Sequence, residues 1–479
     1  MILRDLFPQM TGPEGDTKVT GLTADSRKVE PGFVFAALKG VVADGRDYIP
    51  GAIKAGAVAV IGHELPEFAG IAIEAEEPRL ALAKASARFY QAQPEKIVAI
   101  TGTNGKSSTV DFLRQIWASS DIKAASLGTL GAIGPSGHVD LGHTTPDPVA
   151  IHATLDALAR EGVSHAAMEA SSHGLAQYRL DAVRLCAVAF TNFTQDHLDY
   201  HNTMEEYREA KLRLFSGLAP TGVPAVVNAD SDERGAFEAA AKAAGLNIVS
   251  VGWRGEDLKI EELMPKATGQ RLFISWRGAK AAIDLPLIGE FQALNALTAA
   301  GLALATGSDL QTVASGMADL KPVKGRLEYV GETGDGAGVF VDYAHTPAGL
   351  DVLIRAARPH TAGRLVVIFG CGGDRDRGKR ALMGEVATKH ADLVIVTDDN
   401  PRSEDASAIR AEIMQAVPGG REIGDRGEAI RTAISELRKG DTLLIAGKGH
   451  ETGQIVGDKV IPFSDQETAI AALAEAKSD

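Results

Sequence analysis

Residues 96–113, KIVAITGTNGKSSTVDFL, have the pattern of an apolar strand, a glycine-rich turn and the start of a helix. Such a turn directs backbone N–H groups and the positive end of the helix dipole at an anion. Lys106 could reach the outer phosphates of a nucleotide, and Ser107 could ligate Mg²⁺. The spacing departs from G-x-x-x-x-G-K-[ST], because Ile100 stands where the first glycine would fall. The stretch therefore predicts an ATP site, with a bare strand-to-helix turn as the alternative.

Similar apolar runs recur further along the chain, separated by helix-like stretches. They include HAAMEA, CAVAFTN and PAVVNADS, and later GVFVDYAH, RLVVIFGCGGDRDRGKR, DLVIVTDDNPR and DTLLIAGKGHE. Apolar strands that alternate with helices predict mostly parallel α/β sheets. Breaks at QAQPEK and at the Gly- and Pro-rich stretch 320–338 predict domain boundaries. We therefore expect an α/β protein of three domains: 1–92, a central P-loop ATPase-like domain at 93–325, and a Rossmann-like domain at 326–479.

The composition excludes several classes of protein. The 479 residues contain 49 Lys plus Arg against 63 Asp plus Glu, a net charge of -14, which argues against a nucleic-acid or anionic-membrane surface. The N-terminal apolar run is too short for a signal peptide, and no stretch approaches the roughly 20 apolar residues of a membrane span. Two cysteines, Cys186 and Cys371, exclude a disulfide framework and a thiolate zinc cluster. We expect a cytoplasmic protein in which Cys371 has a packing role.

Ionisable residues follow two of the central apolar runs. Glu169 and His173 lie in MEASSHG, and His197, His201 and Lys211 lie in TNFTQDHLDYHNTMEEYREAKLRLFS. A carboxylate at the end of a buried strand is costly unless it is paired or binds a cation, and Mg²⁺ carrying ATP is the natural candidate. For any single histidine here, a hydrogen-bonded core or surface residue is the alternative.

The segment VIVTDDNPRSED (394–405) passes from an uninterrupted β-branched run to a polar cluster. The cluster contains Asp398, Asp399, Asn400, Pro401 and Arg402. Asp, Asn and Pro are ordinary turn residues, so a solvated loop is one interpretation. In open α/β sheets, however, ligands bind at the carboxyl ends of the strands, and this is one of four polar strand ends in the last third of the chain.

Taken together, ten motifs resemble, in order, the Mur ligases of peptidoglycan synthesis. They are TGTNGKSS, MEASSHGLAQYRL, TNFTQDHLDYH, YREAKLRLFS, GEFQALNALTA, KGRLE, VDYAHTP, GCGGDRDRGKR, DDNPR and AGKGHE. The likeness runs from about residue 20 to the C-terminus, and it accounts for the short phosphate loop, because this family uses G-x-x-G-K. It implies a ligase that uses ATP and Mg²⁺ to join meso-diaminopimelate to the D-glutamyl γ-carboxylate of UDP-MurNAc-L-Ala-D-Glu through an acyl phosphate. The partners would be these small molecules, and we expect a monomer.

The resemblance also implies the residues that bind nucleotide and metal. The ATP phosphates would meet Gly102, Thr103, Asn104, Gly105, Lys106, Ser107 and Ser108, and the rest of the nucleotide would meet Asn295, Arg326 and Asp342. The metal ligands would be Ser107, Glu169, His197 and Lys211, and the catalytic residues Lys106, Lys211 and His197. Lys211 corresponds to a lysine that family members carry as a carbamate, which could hold a second Mg²⁺. A solvated helix lysine is the alternative.

Two further sets of residues are implied for the other substrates. The uridine nucleotide peptide would meet Ala24, Ser26, Val41, Val42 and Ala43 in the first domain and His143, Thr144, Thr145, Ser171, Gln177 and Arg179 in the central one. Diaminopimelate would meet Arg375, Asp399, Asn400, Pro401, Arg402, Gly447 and Glu451. Lysine lacks the distal carboxylate and would leave Arg402 without its anion. The family usually has Tyr where this chain has Gly453, which puts the local packing in question.

Three other functions compete with this interpretation. A lysine-adding Mur ligase and a folylpolyglutamate synthase share the three-domain design, but the DNPR and GKGHE strand ends argue against both. A phosphate-loop NTPase that drives a conformational change would need TGTNGKSS but would have no use for an amino-acid pocket in the last domain.

Overall fold

The structure is a computed structural model and describes residues 1–40, 43–195 and 200–476. The chain divides into two compact units, Met1–Lys259 with Leu297–Val313 and Ile260–Ala296 with Ala314–Asp479. Both units are mixed α/β with parallel sheets, which confirms the fold class expected from the alternating apolar strands and helices. The domain boundaries expected after residues 92 and 325 stay a prediction.

The first unit begins with a small parallel sheet. Its strands are β1 (Gly21–Thr23), β2 (Phe33–Ala36), β3 (Ala59–Gly62) and β4 (Ile71–Glu74), and its helices are α1 (Leu3–Leu6), α2 (Ile49–Lys54) and α3 (Pro78–Phe89). The strands lie in the order β1-β2-β3-β4, and every pair is parallel. Hydrophobic clusters cover both faces, and β3 is buried along its whole length.

A larger sheet follows in the same unit. Its strands are β5 (Lys96–Thr101), β6 (Ala124–Gly128), β7 (Gly131–Gly134), β8 (Gly137–Val139), β9 (His165–Glu169), β10 (Leu185–Phe190), β11 (Pro224–Asn228) and β12 (Asn247–Gly252). The helices are α4 (Lys106–Ala118), α5 (Pro148–Arg160), α6 (Ser172–Ala176), α7 (Met204–Arg213), which continues into a π-helical turn at Leu214–Leu218, and α8 (Arg234–Ala243). The strand order is β12-β11-β10-β5-β9-β6-β7-β8, parallel from β12 to β6. Because β5 lies between β10 and β9, their three carboxyl ends are neighbours.

Three elements have residues in both units: β13 (Leu258–Lys266), α9 (Glu290–Ala305) and α10 (Leu310–Ala318). The longest helix, α9, has 16 residues, fewer than the roughly 20 of a membrane span. In the described part of the chain, no helix is both long enough and apolar enough to cross a bilayer.

The second unit contains two hairpins and a six-stranded sheet. The hairpins pair β14 (Gly269–Trp276) with β15 (Ala279–Leu285), and β22 (Gly453–Val456) with β23 (Lys459–Pro462). The sheet strands are β16 (Glu328–Glu332), β17 (Gly338–Asp342), β18 (Leu365–Phe369), β19 (Leu393–Val396), β20 (Arg421–Glu422) and β21 (Thr442–Ala446). The helices are α11 (Pro347–Ala357), α12 (Gly378–His390), α13 (Ala406–Met414), α14 (Arg426–Ser435) and α15 (Asp465–Ala476).

The six-stranded sheet has the order β16-β17-β21-β18-β19-β20 and is parallel except at the β16–β17 edge. Its central strands are buried on both faces: in β18, Val367 and Phe369 join one hydrophobic cluster and Val366 and Ile368 join the other, as the two-residue period of a strand requires. The strands β17, β21, β18 and β19 are therefore side by side. The four polar strand ends noted in the sequence lie at one edge of one sheet.

Candidate active site

The phosphate loop connects β5 to α4 and depends on two glycines. Gly102 has φ 147° and Gly105, which precedes the helix, has φ 83°, both in the region that favours glycine. A Cβ on Gly102 would also overlap the Thr191 hydroxyl oxygen. Lys106 Nζ donates to the carbonyl oxygens of Gly102 and Thr103, each at 2.8 Å, so its cation lies over the loop that the sequence assigns to phosphate.

The residues that follow β10 brace this loop. The backbone N–H of Thr103 donates to Asn192 O at 2.8 Å, and that of Asn104 donates to Asn192 Oδ1 at 2.9 Å. The Thr191 hydroxyl donates to Asn104 O at 2.6 Å. These bonds fix the loop from the neighbouring strand end. Neither Thr191 nor Asn192 was predicted as a site residue, although both lie in the TNFTQDH motif.

Lys211 is buried beside the phosphate loop. The residue is 1% exposed, and its Nζ donates to Gly102 O at 2.8 Å. The ammonium also lies 4.4 Å from the centre of the Tyr207 ring, whose hydroxyl donates to Thr103 Oγ1 at 3.1 Å. The alternative of a solvated helix lysine is therefore wrong. The carbamate on Lys211 stays a prediction, and His197 lies outside the described residues.

Glu169 ends β9 and is 2% exposed. Its Oε1 accepts a hydrogen bond from the Thr129 backbone N–H at 2.8 Å, and the carboxylate lines a small pocket together with Ser107. Within residues 1–40, 43–195 and 200–476, no group of three or more His, Cys, Asp or Glu side chains could hold a metal ion. Mg²⁺ in nucleotide sites commonly takes one or two protein groups together with phosphates and water, so Ser107 and Glu169 fit an ion that arrives with ATP. No sequence motif pointed to Thr129.

Three of the residues assigned to the nucleotide peptide are joined by hydrogen bonds. Arg179 Nη1 donates to Thr145 O at 2.6 Å, and Nη2 donates to Gln177 Oε1 at 2.8 Å. The Thr145 hydroxyl donates to Glu169 O at 3.0 Å, which connects the group to the end of β9. Burial lowers the pKa of Arg179. A guanidinium held in this way is oriented to receive a carboxylate or phosphate.

The other residues assigned to the same substrate lie in loops and helix starts. The Thr144 hydroxyl is 3.0 Å from the Thr129 hydroxyl, whereas His143 is exposed. Ser171 Oγ accepts a hydrogen bond from the Gly174 N–H at 3.1 Å and caps α6, which gives it a structural role as well.

In the first sheet region, Ala24 directly follows β1, and Ser26 begins a 3₁₀ helix. The carbonyl of Ala43 accepts a hydrogen bond from the Gly40 N–H at 2.9 Å. Val41 and Val42 lie outside the described residues. The roles assigned to these five residues stay predictions.

The remaining nucleotide candidates belong to the second unit. Asp342, at the end of β17, accepts hydrogen bonds from the backbone N–H groups of Leu327 and Ala344, each at 2.7 Å. Burial raises the pKa of Asp342, and the nearby Arg326 cation opposes that rise. A buried carboxyl group whose pKa is raised is typical of functional sites, although structural networks have the same effect.

Asn295 and Arg326 are linked through Gln292, which the sequence analysis did not assign. Asn295 Nδ2 donates to Gln292 Oε1 at 3.1 Å, and Gln292 Nε2 donates to Arg326 O at 2.8 Å. The Arg326 guanidinium lies 4.9 Å from the centre of the Tyr343 ring. The structure therefore brings Asn295, Arg326 and Asp342 into one group.

The predicted amino-acid site begins where β19 ends. Asp399 is 9% exposed, Asn400 is 4% exposed and Pro401 is buried, so a solvated loop is the wrong interpretation of these residues. Arg402 has φ 53°, uncommon for a non-glycine residue, and its Nη1 donates to Gly373 O at 2.9 Å. Its backbone N–H donates to Ile455 O at 3.0 Å, so the β22–β23 hairpin holds it in place.

Asn400 and Glu451 are in direct contact. Asn400 Nδ2 donates to Glu451 Oε2 at 2.9 Å, and its Oδ1 accepts a hydrogen bond from the Ile455 N–H at 3.0 Å. Lys448, which is fully buried, donates to Asn400 Oδ1 at 3.1 Å and to Glu451 Oε2 at 3.0 Å. Asp399 holds the turn, as its Oδ1 accepts a hydrogen bond from the Asn400 N–H at 2.7 Å. Lys448 stood inside the GKGHE motif but was not assigned a role.

Two glycines shape the same strand ends. Gly447 has φ 118°, and a Cβ there would lie 2.8 Å from Asp399 Oδ2. Gly453 begins β22, and a Cβ there would lie 2.6 Å from Val460 Cγ1, so a larger residue would need this hairpin to repack. The close packing of this hairpin therefore agrees with glycine at position 453, where the family usually has tyrosine.

Two other residues at this edge are less closely involved. Arg375 is exposed, and its Nη1 donates to the adjacent Asp374 carbonyl at 3.1 Å. Cys371 is 3% exposed, and burial raises the pKa of its thiol to about 11, so it stays protonated. The expected packing role of Cys371 is confirmed.

Comparison with known families matches nearly the whole chain. Residues 18–95 match the model described as Mur ligase family, catalytic domain, residues 100–303 match the Mur ligase middle domain, and residues 325–449 match the Mur ligase, glutamate ligase domain. These three segments contain all ten motifs on which the resemblance rests, apart from the first residue of KGRLE and the last two residues of AGKGHE.

Relatives of the same length indicate the same family. The chain is 52% identical over 482 residues to the UDP-N-acetylmuramoyl-L-alanyl-D-glutamate--2,6-diaminopimelate ligase of Bradyrhizobium diazoefficiens, covering 99% of both proteins. It is 50% identical over 484 residues to the ligase of the same name from Agrobacterium fabrum, again covering 99% of both. A solved structure described by that name is 32% identical, has a TM-score of 0.77 and covers 99% of each chain. This chain therefore belongs to the Mur ligase family.

Proposed function

We propose that this protein is an ATP-dependent ligase that adds meso-2,6-diaminopimelate to the D-glutamyl γ-carboxylate of UDP-MurNAc-L-Ala-D-Glu, a step in peptidoglycan precursor synthesis. The observation that carries the proposal is the pairing of Arg402 and Glu451 through Asn400 at the carboxyl edge of the six-stranded sheet. Diaminopimelate ends in a carboxylate and an ammonium, and this group offers one cation and one anion. The relatives at about 50% identity carry the name of that activity over the full chain length.

The chemistry needs positioning and charge neutralisation. An oxygen of the γ-carboxylate attacks the γ-phosphorus of ATP, ADP leaves, and the acyl phosphate then loses inorganic phosphate when the amine attacks its carbonyl carbon. Lys106 and the N–H groups of the phosphate loop would neutralise the charge that develops on the transferring phosphoryl group. Arg179 would hold the carboxylate end of the nucleotide peptide close to that group.

Several finer features belong to the same proposal. Ser107 and Glu169 would hold Mg²⁺ beside the phosphates, and a bound Mg²⁺ would supply further charge neutralisation. Lys211 would act as its carbamate, which is an anion where the free side chain is a cation. The protein would act in the cytoplasm as a monomer on three small-molecule substrates.

A ligation assay tests the proposal. Purified protein is given ATP, Mg²⁺ and UDP-MurNAc-L-Ala-D-Glu with either meso-diaminopimelate or lysine, and both product and phosphate are measured. We expect product with diaminopimelate, little with lysine, and little phosphate until all the substrates are present. Rapid phosphate release from ATP alone would instead support an NTPase, and a preference for lysine would overturn the assigned amino acid.

A further inference from the structure

The Asn400–Glu451 pair depends on a buried cation that does not itself face the substrate. Lys448 is 0% exposed, whereas the Glu451 side chain is 34% exposed. An ammonium with no access to solvent cannot bind an incoming amino acid directly. Its effect on the site must therefore pass through the groups that it contacts.

The contacts of Lys448 determine which atoms remain for a ligand. Its Nζ and the Ile455 N–H both donate to Asn400 Oδ1, at 3.1 and 3.0 Å. Because two donors meet this oxygen, the amide orientation is fixed, and Nδ2 faces Glu451. Glu451 Oε2 accepts from both Lys448 and Asn400, while Oε1 accepts no hydrogen bond from any described residue. One carboxylate oxygen is left for a ligand ammonium.

The charge that a ligand brings gives a second argument. Charged side chains at these strand ends include Arg402, Arg426, Lys448, Asp399, Glu451 and Asp465, and also Asp342, Arg375 and Asp398. Arg426 and Asp465 form a closed pair at 2.7 and 2.8 Å, both fully buried. Lys448 has its counter-ion in Glu451, at 3.0 Å.

A zwitterionic ligand end adds one charge of each sign and leaves the net charge of the site unchanged. The distal end of lysine adds a cation with no anion, next to the buried cation Lys448, and buried charge is costly unless it is paired. Lys448 therefore penalises the wrong amino acid as well as orienting the residues that bind the right one.

We propose that Lys448 is a positioning residue that sets the selectivity of this site for amino acids whose distal end carries both a carboxylate and an ammonium. This inference rests on the proposed function, since it concerns the choice of amino acid in that ligation. Lys448 acts through Asn400 and Glu451 and contacts no substrate itself.

The test compares Lys448→Met with the native protein. Methionine keeps an unbranched apolar chain in the buried position but removes the ammonium. We expect KM for meso-diaminopimelate to rise about 10–100-fold. We expect KM for ATP and for the nucleotide peptide to stay within about twofold, because the side-chain hydrogen bonds of Lys448 go to Asn400 and Glu451, which are assigned to the amino acid. The ratio of kcat/KM for diaminopimelate to that for lysine should fall at least about tenfold.

Lys459→Met is the matched control. Lys459 is exposed on β23 of the adjacent hairpin, and its replacement removes the same charge without touching Asn400 or Glu451. This variant should keep the native KM values and the native selectivity. If it changes selectivity as much as Lys448→Met does, general electrostatics is the cause and the inference is overturned.

The remaining outcomes separate this inference from the proposed function. If the native protein does not ligate diaminopimelate, the proposed function fails. If it does, and Lys448→Met folds but retains the native selectivity ratio, only the present inference fails. Should Lys448→Met not melt cooperatively, Lys448→Gln is measured in the same way, as its amide can still donate to Asn400. If neither variant folds, Lys448 is needed for folding and the positioning role is rejected.

Discussion

Arg402 combines two features that rarely occur together in a non-glycine residue. Its backbone has φ 53°, and its side chain is half-buried with Nη1 bonded to Gly373 O. A left-handed conformation costs about 1–3 kcal/mol and persists where the surrounding structure imposes it. Here the hairpin residue Ile455 supplies the constraint by accepting the Arg402 N–H. This backbone conformation directs the guanidinium toward the strand ends where the amino acid would bind.

For Arg402→Ala we expect KM for diaminopimelate to rise by about 10²–10³-fold, since a distal carboxylate would lose its cation. KM for ATP should remain within about twofold. Steady-state kinetics with each substrate varied in turn measures both. Arg355→Ala removes a guanidinium that is 68% exposed and should leave every KM unchanged. An unaltered preference for diaminopimelate over lysine in Arg402→Ala would show that the specificity residue lies elsewhere.

Lys211 is a buried amine in contact with the phosphate loop. Lys211→Ala should lower kcat at least about a hundredfold, because the change removes a charged group beside the phosphate loop. If the functional form is the carbamate, millimolar formate or acetate should restore part of the activity by replacing the missing anion. The solvent-exposed lysine of α8, Lys242, provides the comparison, and Lys242→Ala should be fully active. A fully active Lys211→Ala would remove the carbamate from the proposed chemistry.

The phosphate loop is the element on which the central sheet's chemistry depends. It is anchored on one side by β5 and on the other by hydrogen bonds with Thr191 and Asn192, which follow β10. Because both strands are buried and parallel, the loop has a fixed position at the carboxyl edge of the sheet. Its geometry leaves no space for a side chain at Gly102.

Gly102→Ala should therefore abolish measurable ATP binding and lower the melting temperature. Gly137→Ala separates the two causes, since Gly137 has φ 121° but a Cβ there meets nothing within 4 Å. That control should show only backbone strain, about 1–3 kcal/mol of unfolding free energy, and should bind ATP normally. Calorimetric nucleotide titration of both variants measures ATP binding, and thermal melting measures their stability. Equal losses of ATP binding would mean that strain, not the overlap with Thr191, is responsible.

At the scale of the molecule, two buried histidines make stability depend on pH. Burial lowers the pKa of His152 and His360 below the ordinary value of 6.5. His360 Nε2 accepts a hydrogen bond from the Gly289 N–H at 2.9 Å, which leaves Nδ1 to donate to Lys266 O at 2.7 Å. A proton on Nε2 would break the first of these bonds.

The sign of the resulting pH dependence follows from proton binding. Below about pH 6.5 the unfolded chain binds protons that the folded chain does not, so stability is fully present above that pH and is lost as the pH falls. The slope should reach at most about 1.4 kcal/mol per pH unit for each histidine. Melting temperatures between pH 8 and pH 5.5 measure it.

Variants of single histidines assign the pH dependence. His360→Gln should be less stable than the native protein at pH 8 but should lose less stability on acidification. The exposed His63, changed to Gln, should keep the native slope. An unchanged slope in His360→Gln would exclude His360 as a source of acid sensitivity.

The sequence by itself determined the α/β class, the phosphate loop, and the buried strands β5, β9, β10, β11, β17, β18, β19 and β21. These features are local: an apolar run of four to six residues, a glycine turn and a helix start lie within a short window, and their pattern suffices to predict them. The sequence also indicated that several strand ends carry polar residues. Parallel strands bring such ends to one sheet edge, so the clustering of Asn400, Arg402 and Glu451 followed from the topology.

Only the tertiary structure decided which of these side chains are buried and what they contact. Lys211 meets Gly102 across 109 residues of chain, and Lys448 meets Asn400 across 48. For a lysine in a helix or an asparagine in a turn, the local sequence pattern favours a solvated side chain as much as a buried one. The elements that pack against these residues decide whether they are buried. The buried cations Lys211, beside the phosphate loop, and Lys448, in contact with Glu451, could therefore be identified only from the tertiary structure.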